Sequence, residues 1–174
     1  SNPINNYNIS VQIGSYVAVQ DTFIKDDTVQ YMNHYVLDYN SDIASDYFKQ
    51  SKEVIRFYEK FFGDYQWYED GYKLVEVPYL GMEHQSAVTY GNGFSLYNGV
   101  RSKSWPMYGV IDPLIIHETG HEWFGNSVTA SDPTHIWIHE GLQVYSEAIY
   151  FENKFNSYEV GIHYLNTLKN RIVN

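Results

Sequence analysis

The 174 residues contain no cysteine, which removes disulfides, thiolate metal sites and cysteine nucleophiles together. The compartment stays open, because exported chains lack cysteine as well. Basic side chains are scarce: 11 Lys and Arg face 21 Asp and Glu, a formal net charge of −10. Such a chain repels phosphate backbones, which argues against a general nucleic-acid binder and favours cationic partners. No apolar run approaches the roughly 18 uninterrupted residues of a membrane helix, so neither a membrane span nor a signal peptide is read. What is abundant is core material. Hydrophobic residues make up 44% of the chain and aromatics 18%, which suits a packed interior of about one domain rather than a disordered segment.

The shortage of bases is sharpest in one place. Between Lys103 and Lys154 no Lys or Arg occurs, while Asp112, Glu118, Glu122, Asp132, Glu140, Glu147 and Glu152 all fall in that window. His117, His121, His135 and His139 share it. Carboxylates mixed with imidazoles and free of competing bases create a potential that suits a metal ion or an ammonium group.

Hydrophobic periodicity organises the rest. Residues 8–20 alternate as a strand with Ile9, Val11 and Ile13 on one face, broken at Gly14-Ser15, and residues 29–38 alternate through Val29, Tyr31 and Leu37. From Asn40 the stripe Ile43, Tyr47, Val54, Tyr58 and Phe61 predicts one amphipathic helix stopping at Gly63. Tyr72 to Val77 and Ser86 to Tyr90 read as strands, and Gly91 to Gly109 as a loop with room for one short strand. Three helices follow. The first is capped by Asp112-Pro113 and runs to Gly125, the second spans roughly 136–152, and the third starts near Ser157 and carries Leu165, Leu168 and Ile172.

The chemistry concentrates on the first of these helices. His117-Glu118-Thr119-Gly120-His121 has the form H-E-x-x-H, and residues four apart share a helix face, so both imidazoles can meet one ion. Zinc fits such a pair, and a catalytic zinc site takes a third protein ligand while leaving a position for water. Glu140, 19 positions after His121 on the next predicted helix, supplies it once the two helices fold back on each other. Glu118 stays out of the ligand set, free to take a proton from an attacking water. With 7 His and 11 Glu in the chain, an accidental H-E-x-x-H arises in roughly 2% of such sequences, and a fixed-offset Glu brings this to about 0.1%.

H-E-x-x-H, eighteen residues and then Glu resembles the gluzincin metallopeptidases. The neighbouring Trp123-Phe124-Gly125-Asn126, Trp137, Glu140-Gly141-Leu142, Tyr145 and Glu147 narrow the resemblance to the aminopeptidase N family. Upstream, Met82-Glu83 is similar to the centre of that family's glycine-x-Met-Glu-Asn exopeptidase motif. The resemblance covers residues 40–174 well and the first 40 only faintly. It implies an α+β fold: a truncated thermolysin-like catalytic domain over 40–174, preceded by remnant β strands closing an N-terminal domain over 1–39. It also implies one Zn2+ per chain held by His117, His121 and Glu140, with Glu118 as the general base. Substrate binding falls to Glu83 and Met82, with Glu83 pairing with the free α-amino group of a peptide, and the adjoining strand, if it lies at a sheet edge, pairing with the substrate backbone. Glu147 fits either an orienting partner for a ligand histidine or a solvent-facing helical glutamate, and Asn126 either a supporting residue behind the ligands or a helix-end residue.

The pattern also departs from the family. Leu80 stands in place of the motif glycine, His84 in place of its asparagine, and His139 in place of the asparagine before the zinc glutamate. His84 reads as a substrate contact or a surface histidine, and His139 is not counted as a fourth ligand, which would close the site. The family's downstream tyrosine, which donates to the oxyanion, matches none of the 18 tyrosines here; losing one such donor typically costs about 100- to 1000-fold in rate. The expectation is therefore a zinc aminopeptidase that hydrolyses the N-terminal residue of peptides through a zinc-activated water. This chain is expected to be an incomplete, poorly active piece that relies on the remaining domains of its parent. The rivals are a gluzincin endopeptidase, a hydrolase of a non-peptide substrate, and a noncatalytic peptide-binding or structural module.

Overall fold

The computed structural model describes residues 2–96 and 109–169. Most of the loop expected between Gly91 and Gly109 lies outside these residues, as does Ile172. The fold is α+β, a five-stranded sheet with helices stacked on one face. Strands β1 (Tyr16–Lys25) and β2 (Thr28–Leu37) form a ten-residue antiparallel hairpin in register from Tyr16 opposite Leu37 to Lys25 opposite Thr28. Its two-residue turn places Asp26 and Asp27 at φ 46° and 61°, the twist that matches paired strands, and aspartate tolerates it better than most residues.

The sheet continues through β3 (Lys73–Glu76), β4 (Gly81–Met82) and β5 (Ala87–Tyr90) in the order β1-β2-β3-β5-β4. β3 is parallel to both β2 and β5, and β4 is antiparallel to β5. The strand read at Ser86 to Tyr90 is thus interior, and the two-residue β4, which no periodicity announced, holds the edge. Helices α1 (Ser41–Tyr47), α2 (Gln50–Phe62), α3 (Pro113–Gly120), α4 (Glu140–Phe155) and α5 (Tyr158–Leu168) complete the chain. Met32 and Val36 of β2, Leu74 of β3 and Val88 of β5 meet Val54, Ile55 and Tyr58 of α2, Ile115 and Ile116 of α3 and Phe151 of α4 in one core. Each fully enclosed side chain of this size contributes about 1.5–3 kcal/mol.

Several expectations from periodicity give way. Residues 9–15 form no strand, and Ile9, Val11 and Ile13 are 63%, 81% and 92% exposed. Alternation needs a hydrogen-bonding neighbour, and no strand among the described residues pairs with this segment. In β2 the buried side chains are Met32, His34 and Val36, while Val29 and Tyr31 face out, the opposite face to the one chosen from the aliphatic residues. The helix expected over 40–62 is two helices. The break falls at Phe48-Lys49, inside the seven-residue gap of the stripe, where Phe48 is fully buried and its carbonyl accepts the Ser51 hydroxyl at 2.6 Å. The helix capped by Asp112 ends its regular turns at Gly120, and the N–H groups of Asn126, Ser127 and Val128 then reach back five residues in a wider coil through Gly125. Asp132-Pro133 caps a separate 3-10 segment, Pro133–Ile138, so the next helix starts at Glu140 rather than near 136.

Candidate metal centre

Two anchors fix α3 before any ligand is considered. At its N-terminus the buried Asp112 accepts the Leu114 N–H and the Asn92 amide on Oδ1, and the Tyr47 and Tyr90 hydroxyls on Oδ2. At its C-terminus Gly120 sits against two buried side chains. Gln143 of α4 donates to the Tyr58 hydroxyl at 2.8 Å and to the Ile116 carbonyl at 3.2 Å, and a Cβ on residue 120 would lie 2.2 Å from both Gln143 Oε1 and Tyr58 OH. The missing side chain lets α4 approach α3, and that approach brings Glu140 to the two histidines.

The three ligand atoms form a compact triangle. His117 Nε2 and His121 Nε2 are 3.2 Å apart, and the Glu140 carboxylate oxygens lie 3.5 Å from the first and 3.7 Å from the second. Ligands bonded at about 2.1 Å to a tetrahedral ion stand about 3.4 Å from one another, so these residues fit a zinc-sized ion. The far ring nitrogens agree. His117 Nδ1 donates to Glu147 Oε1 at 2.6 Å and His121 Nδ1 to the Phe124 carbonyl at 2.8 Å. Both Nε2 lone pairs then face inward, an arrangement that repels unless a cation lies between them. Glu147 is only 5% exposed, and its other oxygen accepts the Tyr164 hydroxyl from α5.

Further carboxylates crowd the triangle. Glu83, Glu118 and His121, all buried, bring a second set of ligand-type atoms within 4.8 Å of one another. Glu118 is 7% exposed and its Oε2 has no hydrogen-bond partner among the described residues. Burial pushes its pKa up to about 8; His117 works against this, while Glu83, Glu140 and Glu147 add to it. Burial lowers the proton affinity of both rings, and His117 lowers that of His121 further; at His117 the adjacent Glu147 outweighs burial and pushes the pKa up to about 9. Two rings this close do not both carry a positive charge.

Glu83 follows edge strand β4 directly, so its position depends on that strand and on Asn126. The Asn126 amide donates to the Glu83 carbonyl at 3.0 Å and to Glu122 Oε2 at 3.4 Å, while its Oδ1 accepts from Asn8 at 2.6 Å. Glu122 is enclosed, accepts the Ser86 N–H at 2.7 Å, and is pushed up to about 8 by burial. Met82 pairs with Thr89 across β4 and β5. At the neighbouring Gly81 a Cβ would stand 2.9 Å from Glu118 Oε1, so the Glu118 carboxyl lies directly over the β4 backbone. His84 is buried and bonds the Asn8 carbonyl at 3.1 Å, which excludes the surface-histidine reading. His139 Nε2 accepts the Ala130 N–H at 2.9 Å, which occupies that nitrogen.

The Peptidase family M1 domain model matches residues 46–173. The chain belongs to peptidase family M1. Among curated relatives of this M1 chain, human endoplasmic reticulum aminopeptidase 2 is 31% identical over 124 residues, 64% of this chain and 12% of that protein. Rat aminopeptidase B is 34% identical over 91 residues, 51% of this chain and 12% of that protein. The M1 zinc metallopeptidase from Deinococcus radiodurans shares the fold with a TM-score of 0.55 at 17% identity, across 81% of this chain and 29% of that one. The M1 chain thus spans about an eighth of the length of these curated relatives.

The family match begins after residue 45, yet part of the site comes from before it. Tyr7 and Asn8, which sequence reading left unassigned, reach His139, His84 and Asn126. Tyr164 on α5 was also missed. A lone tyrosine in an amphipathic helix carries no signal that its hydroxyl ends on a buried carboxylate.

Proposed function

We propose that this chain carries the zinc centre of a metallo-aminopeptidase, which removes the N-terminal residue from peptides with a free α-amino group. The observation that supports this best is the inward-facing triangle of His117, His121 and Glu140 beside the unpartnered, buried Glu118. One Zn2+ would sit among those three residues and supply Lewis-acid polarisation of the scissile carbonyl and the attacking water. Glu147 holds the His117 ring and the Phe124 carbonyl holds His121, so neither ligand reorients on binding. Glu118 accepts the water proton at Oε2 and delivers it to the nitrogen of the departing amine. Its enclosure raises its proton affinity toward neutrality, which suits both transfers.

Glu83 pairs with the ammonium group of the substrate and thereby reads peptides from their first residue. Met82 and the open edge of β4 offer backbone groups to the substrate chain. Asn126 supports this by fixing the Glu83 carbonyl. In the same reading residues 1–39 close an N-terminal β unit whose hairpin extends the sheet, and residues 40–174 open a thermolysin-like peptidase domain.

Metal analysis of zinc-loaded protein tests the centre: one zinc per chain is expected in the wild type, with loss in His117→Ala and His121→Ala. Peptides with free and acetylated N-termini test the register through hydrolysis or competitive binding. Preference for the acetylated peptide would remove the role given to Glu83 and favour an endopeptidase. Absence of bound zinc near neutral pH would favour a noncatalytic module.

A further inference from the structure

Residues 5–8 pack against residues that adjoin the metal centre. Asn8 bonds His84, the neighbour of Glu83, through its carbonyl and Asn126 through its amide, while the Asn5 amide donates to Thr129 at 3.3 Å. Between them the Tyr7 ring stacks on His139, the neighbour of Glu140, with centroids 6.2 Å apart and planes inclined by 28°. His139 is buried, and the Ala130 N–H bonded to its Nε2 restrains the ring beneath Tyr7. Tyr7 itself is 37% exposed, which leaves part of it open to a ligand. Partial burial, aided by Glu83 and Glu140, keeps its phenol neutral.

The proposed function, on which this inference rests, puts the substrate ammonium at Glu83 and its first carbonyl at the triangle that includes Glu140. The first residue of the substrate therefore spans the gap between those two carboxylates, and Tyr7, stacked on the neighbour of Glu140, is close enough to feel the charge of both. We propose that Tyr7, backed by His139, forms an aromatic subsite for the side chain of the substrate's first residue and selects peptides that begin with an aromatic residue. A tyrosine fixes only two torsions on binding, so it offers a large apolar face at low entropic cost. Aromatic pairing beyond area burial corresponds to about 2- to 10-fold in affinity.

The probes are phenylalanine hydroxamate and alanine hydroxamate, titrated calorimetrically into the zinc-loaded chain, so that turnover is not required. Tyr7→Ala is expected to weaken the phenylalanine compound about 5- to 10-fold and the alanine compound less than about 2-fold. Tyr7→Phe, which keeps the ring, is expected to restore wild-type affinity. Zinc content should be equal in all three proteins. Equal weakening of both compounds, no weakening of either, or loss of zinc in Tyr7→Ala would overturn the subsite while leaving the aminopeptidase reading intact. If the zinc-loaded wild type binds neither hydroxamate, the aminopeptidase reading fails and takes the subsite with it.

Discussion

Gly120 occupies one of the two unspecified positions of H-E-x-x-H, and the structure makes Gly120→Ala a destabilising substitution there. The added Cβ would meet Gln143 Oε1 and Tyr58 OH at 2.2 Å and Gln143 Nε2 at 2.4 Å. Ordinary van der Waals contact is about 3.5–4 Å, so these atoms must retreat by more than 1 Å, roughly, and both side chains are fully buried. If the helices separate instead, overpacking costs about 1–3 kcal/mol. If Gln143 swings aside, its bonds to Tyr58 and the Ile116 carbonyl are lost, and each buried group left without a partner costs about 1–3 kcal/mol. Against this, alanine gains about 1 kcal/mol over glycine in helix propensity. With the propensity gain subtracted, the first route leaves a net loss of about 0–2 kcal/mol and the second about 1–5 kcal/mol, so a loss of about 1–2 kcal/mol is expected against the roughly 5–15 kcal/mol that a domain commands.

Urea unfolding of metal-free protein measures the loss directly. The double-mutant cycle with Gln143→Ala assigns it: removing the amide takes away two of the three close atoms, so Gln143→Ala should cost less in the Gly120→Ala background than alone. Because the same packing brings α4 to α3, zinc affinity should fall along with stability. An unchanged urea midpoint in Gly120→Ala, or strict additivity of the two substitutions, would refute the argument that this glycine sets the approach of the ligand helices.

Two further outcomes follow from buried bonds. Glu147→Gln keeps the shape of the side chain but removes the charge facing His117 Nδ1, so zinc affinity should fall about 10- to 100-fold in a chelator competition. An unchanged affinity would show that the pair does not support the ligand. His34 is enclosed between β2 and the helices, its Nδ1 accepts the Leu74 N–H at 3.0 Å, and burial lowers its pKa to about 4. The folded chain then holds this ring neutral while the unfolded chain protonates it below about 6.5. Its contribution is intact above that pH and is lost as pH falls toward 4, up to about 3 kcal/mol. His34→Gln should flatten the difference between urea midpoints at pH 7 and pH 4.5, and an equal pH dependence in the two proteins would sink this assignment.

The parts legible in the sequence were those whose chemistry is local. Asp112-Pro113 announced a helix start because cap and first turn lie within a few residues. His117 and His121 announced a shared face because helix geometry fixes their separation. Face choice in β2 failed for a physical reason: His34 is buried because it replaces a strand partner for the Leu74 N–H, a contact 40 positions away. Residues 9–15 failed because alternation describes a strand without stating whether a neighbour exists to pair with it. Tyr7, Tyr164 and Gly81 were invisible for the same reason. Each matters through a contact with a distant segment, and a single sequence shows no trace of that.

The acidic window shows how long-range placement turns one compositional fact into several roles. Seven carboxylates with no base between Lys103 and Lys154 suggested a cation site, but they do not act as one pool. Asp112 and Asp132 are spent on helix starts, and Glu122 is sealed beneath the turn that holds Glu83. Glu140 completes the triangle and Glu147 steadies one corner of it. Glu118 alone combines deep burial with an oxygen that bonds nothing among the described residues. Among the described residues no Lys or Arg forms an ion pair with Glu83, Glu118, Glu140 or Glu147, a setting that suits a bound cation.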